Sequence, residues 1–300
     1  MKKSINLFLL ITVFLFGGCD DFFESTVALD PPEAENVMYI SSTIGLEKER
    51  IDAAITKTVS IADVNNPFGN SLLTDADVRI TKEGTGEEVV LNYDAFAEQP
   101  VLYNAEIPEG FYTAGETYTF AAEHASYPRA HVTEVFPQIV EIDDIRFEEE
   151  GGINAEGDET SKVSISFQDP PGTQFYELRV FEDTSNPSTT VLRSTYSDSI
   201  DPSVGRGALR HTNIVSDNLF DGEYKTVDLR VYRHSEDRAK ERIWISLKTV
   251  TEAYYNFSKT KFARDEFGDD NPFQSPVQLY SNVTDGLGII AFYVEDLEKY

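Results

Sequence analysis

The sequence predicts a mainly β protein with two antiparallel, sandwich-like modules, the second of which contains one C-terminal amphipathic helix. Three observations predict this fold class. Apolar and polar residues alternate along many short segments, which is the period of half-buried strands. Proline, glycine and asparagine separate these segments, as tight turns require. The chain also has 300 residues, about twice the usual size of one domain.

The N-terminal residues 1–18 are predicted to be a signal peptide. Two lysines follow the initial methionine, and residues 5–16 form an uncharged apolar run. This run is too short to cross a bilayer as a helix, which needs about 20 residues. Two glycines then precede Cys19, the single cysteine of the chain, in the arrangement that lipoprotein signal peptidase cleaves. We therefore expect Cys19 to carry a lipid that anchors the mature protein to a membrane.

Other roles for Cys19 need partners that the sequence does not offer. The chain has no second cysteine, which excludes a disulfide bond within it. A metal ligand or a catalytic thiol would need companion residues, and all four histidines lie far away in sequence. A plain secretory signal with an incidental cysteine is the alternative to lipid attachment.

Residues 19–35 are predicted to form an acidic tether between the lipid and the folded part. Pro31, Pro32 and several carboxylates resist compaction there, and no periodic apolar pattern is present. Three acidic residues close behind the cysteine resemble the export signals of surface lipoproteins in the Bacteroidota: Asp20, Asp21 and Glu24. A tether of this kind would let the folded part stand away from the membrane.

Residues 36–138 are predicted to form the first β-sandwich module. Val78 and Ile80 illustrate the alternation, since they share one face of their segment while Arg79 between them faces the other. Seven segments of this kind favour an immunoglobulin-like or transthyretin-like sandwich. They are residues 37–44, 55–61, 76–82, 87–93, 101–107, 116–123 and 131–137.

Residues 139–300 are predicted to form the second, β-rich module. An acidic, glycine-rich break at residues 148–160 interrupts the apolar alternation after its first strand. A strand, a stop at Pro170 and Pro171, and a Tyr-x-Leu-x-Val strand then resemble a fibronectin type III hairpin. The predicted strands occupy residues 141–147, 162–182 with the proline interruption, 191–197, 226–234 and 242–250.

One segment of the second module predicts a helix near residues 250–263. Thr249 is followed three residues later by Glu252, which is the pattern of a capping box. Apolar and aromatic residues then recur at helical spacing: Val250, Ala253, Tyr254 and Phe257. We interpret this stripe as a packing surface, with ligand stacking as the alternative. A last strand is predicted at residues 289–293.

The charge of the chain limits its partners. The net charge is -28, and the acidic excess is concentrated before residue 160. Such a surface repels nucleic acids and anionic lipid headgroups, so we predict no nucleic-acid partner.

Residues 205–248 hold a small basic excess instead. We therefore predict partner contact on the second module, with Arg233, Tyr254 and Tyr255 as candidates, because arginine and aromatic side chains are enriched in binding hot spots. The alternative is that these residues complete the core and its solvated rim.

The sequence contains no catalytic or cofactor-binding motif of the common kinds, such as a nucleophile elbow, paired cysteines or a phosphate-binding loop. We therefore predict no enzyme activity and no cofactor.

His124 and His131 could meet across a turn, but a zinc site usually needs three or four ligands. Calcium is a weak candidate, since a glycine-containing loop offers hard oxygen ligands whose spacing does not match an EF-hand: Asp265, Asp269 and Asp270. A solvated acidic loop is the alternative.

Several motifs together resemble a known family. The cysteine motif, the acidic tether, DADVRI, GETYTF and, most specifically, NPFQSPVQLYSNVTDGLGIIAFY at residues 271–293 are similar to the Bacteroidota lipoproteins of domain of unknown function 4249. This resemblance covers nearly the whole mature chain. It implies an outer-membrane lipoprotein, often encoded near TonB-dependent receptors, with no established activity and no catalytic residues to carry over.

Three classes of function follow from these observations. We favour a lipid-anchored binding or accessory protein at the outer membrane or cell surface, serving a TonB-dependent transporter. A surface adhesion or structural module is the alternative. An enzyme is disfavoured because a sandwich framework by itself says nothing about activity and no catalytic motif is present.

Overall fold

The computed structural model describes residues 36–59, 71–96, 102–154, 157, 159–184, 191–199, 201–208, 211–232, 243–267 and 277–300. The predicted signal peptide and tether lie outside these residues. Four of the predicted functional residues lie outside them as well: Cys19, Arg233, Asp269 and Asp270.

The described residues before position 138 form seven strands, and each overlaps a predicted segment. Strand β2 begins earlier than predicted because Ile51 and Ala53 are buried and extend the inward-facing alternation of Ile55. The strands are β1 (Met38–Gly45), β2 (Arg50–Lys57), β3 (Asp77–Lys82), β4 (Glu88–Tyr93), β5 (Tyr103–Glu106), β6 (Thr117–His124) and β7 (Tyr127–Val135).

The described residues of the second half form nine strands, a 3-10 turn at Asp217–Leu219 and one α-helix. Strands β12 and β13 were not predicted, because three or four residues are too few to show a period of two. The strands are β8 (Asp144–Ile153), β9 (Glu159–Gln168), β10 (Phe175–Asp183), β11 (Leu192–Asp198), β12 (Val204–Arg206), β13 (Asn213–Ser216), β14 (Tyr224–Tyr232), β15 (Ile243–Val250) and β16 (Leu287–Lys299), and the helix α1 is Glu252–Phe267.

Most described residues of the acidic break predicted at 148–160 belong to the paired strands β8 and β9. Strands β8 and β9 pair up to Ile153 opposite Glu159, with an irregular register near the tip. Gly151 lies so close to the partner strand that an added Cβ would be 2.3 Å from the Cβ of Lys162. The glycines therefore permit a close backbone approach within the sheet, whereas the sequence pattern had indicated an interruption.

The strands form one continuous, open, mixed sheet of 16 strands, which confirms the prediction of a mainly β chain. The prediction of purely antiparallel pairing is wrong for β1 and β16, which are parallel. The order along the sheet is β7-β6-β3-β4-β5-β2-β1-β16-β15-β10-β11-β14-β9-β8, with β12 and β13 beside β10. Among the described strands, β1 and β16 form a parallel pair, from Tyr39 opposite Leu287 to Gly45 opposite Tyr293, and the other pairs are antiparallel. The centre of β16 is buried on both faces, as expected for a continuous apolar run in the middle of a sheet.

Two large hydrophobic clusters pack on this sheet. The first collects side chains of β1 to β7 and also takes in Ile290, Phe292 and Val294 of β16. The ring of Phe292 stacks on that of Phe136 with centroids 4.4 Å apart. The second cluster is built on strands β8 to β10 and β13 to β15 and includes Tyr176. Strand β16 therefore completes a core whose other members lie more than 140 residues earlier in the chain.

Helix α1 is less amphipathic than predicted. Among its described side chains, Ala253 and Ser258 are buried, and the helix contacts β16 through a small cluster around Ala253. Lysine and arginine residues interrupt the apolar stripe after the second turn, so the helix presents only a narrow apolar face to the sheet.

The helix is capped by Thr251, which corrects the predicted capping box at Thr249. The Oγ1 atom of Thr251 accepts hydrogen bonds from the backbone N–H groups of Tyr254 and Phe292, both at 3.4 Å. Thr249 lies instead inside β15, where it is 1% exposed and its hydroxyl has no hydrogen-bond partner among the described residues. Strand β15 continues two residues further than the cap pattern implied, because Val250 pairs with Tyr293.

We expect Thr251→Ala to lower the free energy of unfolding by about 1–2 kcal/mol, because it removes the cap of α1. Thr249→Val is the matched control and should change stability little, since it removes a buried hydroxyl that makes no hydrogen bond. Urea denaturation of both variants checks this prediction. Equal losses in the two variants would contradict the assignment of the cap.

Candidate functional site

A group of charged and hydroxyl-bearing side chains lies between α1 and the sheet. We call this set the polar layer; it consists of Glu177, Lys248, Tyr254, Tyr293 and Glu295. The strand registers place Glu177 of β10 opposite Lys248 of β15, and Lys248 opposite Glu295 of β16. The side chains that alternate with them on β10 and β15 point into the second hydrophobic cluster. The pleat therefore sends a row of charged side chains to the face that α1 covers.

The buried carboxylate of Glu177 is the centre of the polar layer. This residue is 3% exposed. Its Oε2 atom accepts a hydrogen bond of 2.7 Å from the hydroxyl of Tyr254, and its Oε1 atom lies 3.5 Å from Nζ of Lys248. The same Nζ lies 4.4 Å from the ring centroid of Tyr293. A buried charge needs such partners because it has lost its hydration.

Both tyrosine hydroxyls of the layer are held in the protonated form. Burial, followed by the charge of Glu177 and the hydrogen bond to it, raises the pKa of Tyr254 well above its usual value. Burial and the nearby carboxylates of Glu295 and Glu47 raise the pKa of Tyr293 to about 12. The layer therefore offers hydrogen-bond donors and paired charges that can attach the helix to the sheet.

The structure separates the two predicted contact tyrosines of the helix. Tyr254 points into the polar layer, as described above. Tyr255 packs its ring against Phe175 of β10, with centroids 4.9 Å apart, and Nζ of Lys259 lies 5.2 Å from the Tyr255 ring. The third candidate, Arg233, is outside the described residues. Tyr254 and Tyr255 are both partly exposed, so burial does not distinguish them as contact residues.

The predicted calcium loop is only partly described. Asp265 lies in the last turn of α1, where its carboxylate pairs with Lys261 and with Arg264, the latter at 3.1 Å. The hydrogen bond from Lys261 is the main cause that lowers the pKa of Asp265. Two cationic side chains therefore already neutralise this carboxylate, while Asp269 and Asp270 lie outside the described residues.

A different group of carboxylates comes together at the β9–β10 loop. Oxygen atoms of Asp169, Asp217 and Asp221 all lie within 4.8 Å of one another. Carboxylate oxygens are the ligands that Ca²⁺ prefers. Burial, and secondarily the charges of Asp169 and Asp221, raise the pKa of Asp217. The sequence did not indicate this group, because Asp169 lies far from the other two and none of the known calcium-loop spacings connects them.

These three carboxylates also have structural roles that account for their positions. Asp169 accepts hydrogen bonds from the hydroxyl of Tyr176 and from the backbone N–H of Gly222, the latter at 2.8 Å. The backbone N–H of Gln174 donates to Asp217 at 2.5 Å, and that of Gly172 donates to Asp221 at 2.8 Å. Each carboxylate therefore closes a loop, which is a sufficient reason for an aspartate at each place.

The two histidines that were considered for zinc do not form a pair. In the β6–β7 hairpin, His131 lies opposite Ala121 while His124 lies opposite Tyr127. The Nε2 atom of His124 is 3.2 Å from Asp75, and its Nδ1 atom accepts a hydrogen bond from a backbone N–H. Both ring nitrogens of His124 are thus engaged in fixing loops.

Sequence reasoning missed Glu177 and Lys248, the two charges of the polar layer. The alternation of β10 and β15 places them on the face opposite the second hydrophobic cluster, and no local pattern shows what covers that face. A signal for their burial was present, however. The helix follows β15 after a single residue, so it must fold back over one face of the adjacent strands and cover the polar side chains there.

Comparison with known proteins shows the family to which the chain belongs. The profile of the family described as "Domain of unknown function (DUF4249)" matches residues 24–298. The chain belongs to this family. No curated protein matches the DUF4249 chain significantly in sequence.

Among solved structures, the DUF4249 chain is similar to a DUF4785 family protein from Legionella pneumophila. The similarity has a TM-score of 0.24 at 9% sequence identity and covers 72% of this chain and 53% of that one. A similarity at this level carries no conclusion about the fold or function of the DUF4249 chain. Within the described part of the DUF4249 chain, no helix has the length and apolarity needed to cross a membrane.

Proposed function

We propose that this DUF4249 protein is a lipid-anchored binding or accessory protein at the bacterial outer membrane, attached through Cys19 and serving a TonB-dependent transporter. The single observation that carries the proposal is the leader, in which two lysines, a short apolar run and two glycines precede the only cysteine. Several acyl chains at that position would anchor the protein stably, since each buried methylene contributes about 0.8 kcal/mol.

The distance between the anchor and the fold fits a protein that works above the membrane. The first strand begins at Met38, and the intervening chain is acidic and contains two prolines. Fully extended, this stretch of about 18 residues reaches about 60 Å, at roughly 3.3 Å per residue. The folded part can therefore contact the exposed loops or rim of a neighbouring membrane protein while its acidic first half is repelled by lipid headgroups.

The surface around α1 supports a binding role better than a catalytic one. The charges of the polar layer are paired with one another, and its hydroxyls are kept protonated. This arrangement holds a helix in place but provides no activated nucleophile. We place the contact with a protein partner at the partly exposed Tyr255, together with Arg233, because aromatic and arginine side chains are enriched in binding hot spots.

Replacing the anchor residue tests this proposal. We expect Cys19→Ala to abolish incorporation of radiolabelled palmitate and to move the protein from the membrane fraction to the soluble fraction. Ser25→Ala in the tether is the control and should remain labelled and membrane-bound. Retention of the Cys19→Ala protein on membranes after a high-salt wash would show that the anchor assignment is wrong.

Cross-linking in native membranes of the source cells separates the anchor from the accessory role. The wild-type protein should be captured with a TonB-dependent transporter, and the Cys19→Ala protein should not. If the wild-type protein is lipid-labelled but cross-links to no transporter, the anchor assignment stands and the accessory role is refuted.

A further inference from the structure

Residues 280–286 connect the second half of the fold to the edge of the first half, and we call them the junction segment. Thr284 of this segment exchanges two backbone hydrogen bonds with His131 of β7, at 2.9 and 3.2 Å. The backbone N–H of Tyr280 donates a hydrogen bond of 3.0 Å to the hydroxyl of Thr260 in α1. The junction segment therefore ties the edge strand β7 to the helix that packs on β16.

The side chain of Asn282 fixes the position of the junction segment. Its amide pairs with the backbone of Ile290, since Nδ2 donates to the carbonyl at 2.7 Å and Oδ1 accepts from the N–H at 3.2 Å. The same Nδ2 atom donates to Oε1 of Glu134 in β7 at 3.1 Å. One side chain therefore links β7 with β16, and Glu134 is the β7 side of that link.

The carboxyl group of Glu134 meets a second carboxyl group at this junction. Glu252, in the first turn of α1, adds a like charge to its surroundings. Tyr280 lies close enough for the charges of both glutamates to act on its hydroxyl. Among the described residues, Glu134 has Asn282 as a hydrogen-bond partner and takes part in no ion pair. An ionised Glu134 therefore faces one neutral donor and one negative charge.

The remaining elements around Glu134 bring no positive charge to it. Tyr118 lies opposite Glu134 on β6, and its hydroxyl donates to a backbone carbonyl. Strand β1 contains no charged residue, and β16 carries its charged residues only towards its C-terminal end. The amide of Asn282 is therefore the described group that stabilises an ionised Glu134.

Protonation of Glu134 relieves this arrangement without breaking the link. Burial is the main cause that raises the pKa of Glu134 above its usual value, while the hydrogen bond from Asn282 opposes the rise and the charge of Glu252 adds to it. The neutral acid keeps a carbonyl oxygen that accepts from Asn282. Because this pKa is higher in the folded chain than in the unfolded chain, the contribution to stability is present in acid and is lost as the pH rises through the raised pKa.

We propose that the junction segment is a pH-sensitive latch between the two halves of the fold, closed when Glu134 is neutral and loosened when Glu134 is ionised. The ionised carboxylate is repelled by Glu252 and regains hydration when the segment moves away, so opening becomes easier as the pH rises. Asn282 and Thr284 directly precede β16, so loosening begins at the N-terminal end of the strand that both halves share. This inference is independent of the anchor and of the proposed transporter contact.

Hydrogen exchange of the full-length chain in detergent, measured at pH 5 and pH 7, tests this inference. The probes are the amides of Thr284 and His131, which form the backbone bridge, with rates corrected for the intrinsic pH dependence of exchange. We expect both protection factors to fall at least about threefold between pH 5 and pH 7, because a raised pKa links proton loss to opening. Glu134→Gln keeps an oxygen that accepts from Asn282 and cannot ionise, so its protection factors should stay constant within about a factor of 1.5.

Glu149→Gln is the matched control, since it removes the same charge from an exposed side chain of β8, and it should behave as the wild type. The amide of Asp143 donates to the carbonyl of Ser166 at 2.9 Å and serves as the reference in the second half. Its protection should change equally in the three proteins. The latch is refuted if Glu134→Gln keeps the wild-type pH dependence of the probe amides or if Glu149→Gln abolishes it as well. An effect of Glu134→Gln on the Asp143 amide as large as on the probe amides would also refute it.

Discussion

We expect Gly288→Ala to disrupt the centre of the sheet and to lower the free energy of unfolding by about 4 kcal/mol or more, at the upper end of single substitutions. Gly288 has a positive φ of 119°, and an added Cβ would lie 1.9 Å from the carbonyl oxygen of Ile40. Ile40 is its partner in the parallel β1–β16 pair. The clash therefore involves backbone atoms that cannot move without separating the two strands, and strand β16 carries three side chains of the first core.

Gly172→Ala is the matched control for this substitution. Gly172 has a similar φ of 111°, but an added Cβ would have no atom within 4 Å. It should cost only the backbone strain, about 1–3 kcal/mol. Urea denaturation followed by the fluorescence of Trp244, the single tryptophan, measures both variants from the neighbouring strand β15. Similar losses for the two variants would mean that strain, and not the contact with β1, decides the effect.

The second large effect concerns the buried ion pair of the polar layer. We expect Lys248→Met to lower the free energy of unfolding by about 3–5 kcal/mol, because it leaves the charge of Glu177 buried without its cationic partner. The double variant Glu177→Gln/Lys248→Met should be more stable than the Lys248→Met variant, since it removes that unpaired charge. A double-mutant cycle by urea denaturation measures the coupling.

An exposed lysine provides the control for this cycle. Nζ of Lys162 lies 3.2 Å from Asp228, but the two side chains are 29% and 45% exposed. Lys162→Met should therefore cost at most about 1 kcal/mol. If Lys248→Met costs no more than Lys162→Met, the polar layer is more hydrated than its burial indicates, and it does not hold α1 in place.

The candidate site could be predicted only in part from the sequence. Tyr254 was identified because aromatic residues recur at helical spacing, which depends on neighbours three or four positions away. Its partner Glu177 lies 77 residues earlier, and no local pattern connects the two. The capping residue was misplaced by two positions for a related reason, since β15 continues through Val250 to pair with β16 and delays the start of the helix.

The sequence by itself determined the local features of this protein. Period-two alternation predicted the strands before position 138 and most of those after it, and the positions of glycine and proline predicted most of the turns. The helix in the second half was also indicated by its spacing. These features depend on residues that are close in the chain, so their signals are contained in short windows.

Only the tertiary structure decided how distant segments meet. The parallel pairing of β16 with β1 has no turn signal, because the paired residues are about 250 positions apart. That pairing joins the two predicted modules into one sheet and completes the first core. Other distant pairings act in the same way, since the β10–β15 pair places Glu177 beside Lys248 under α1 and the β2–β5 pair brings the 46–49 turn to the 106–112 loop. Burial depends on what covers a residue, and here the covering elements come from far along the chain.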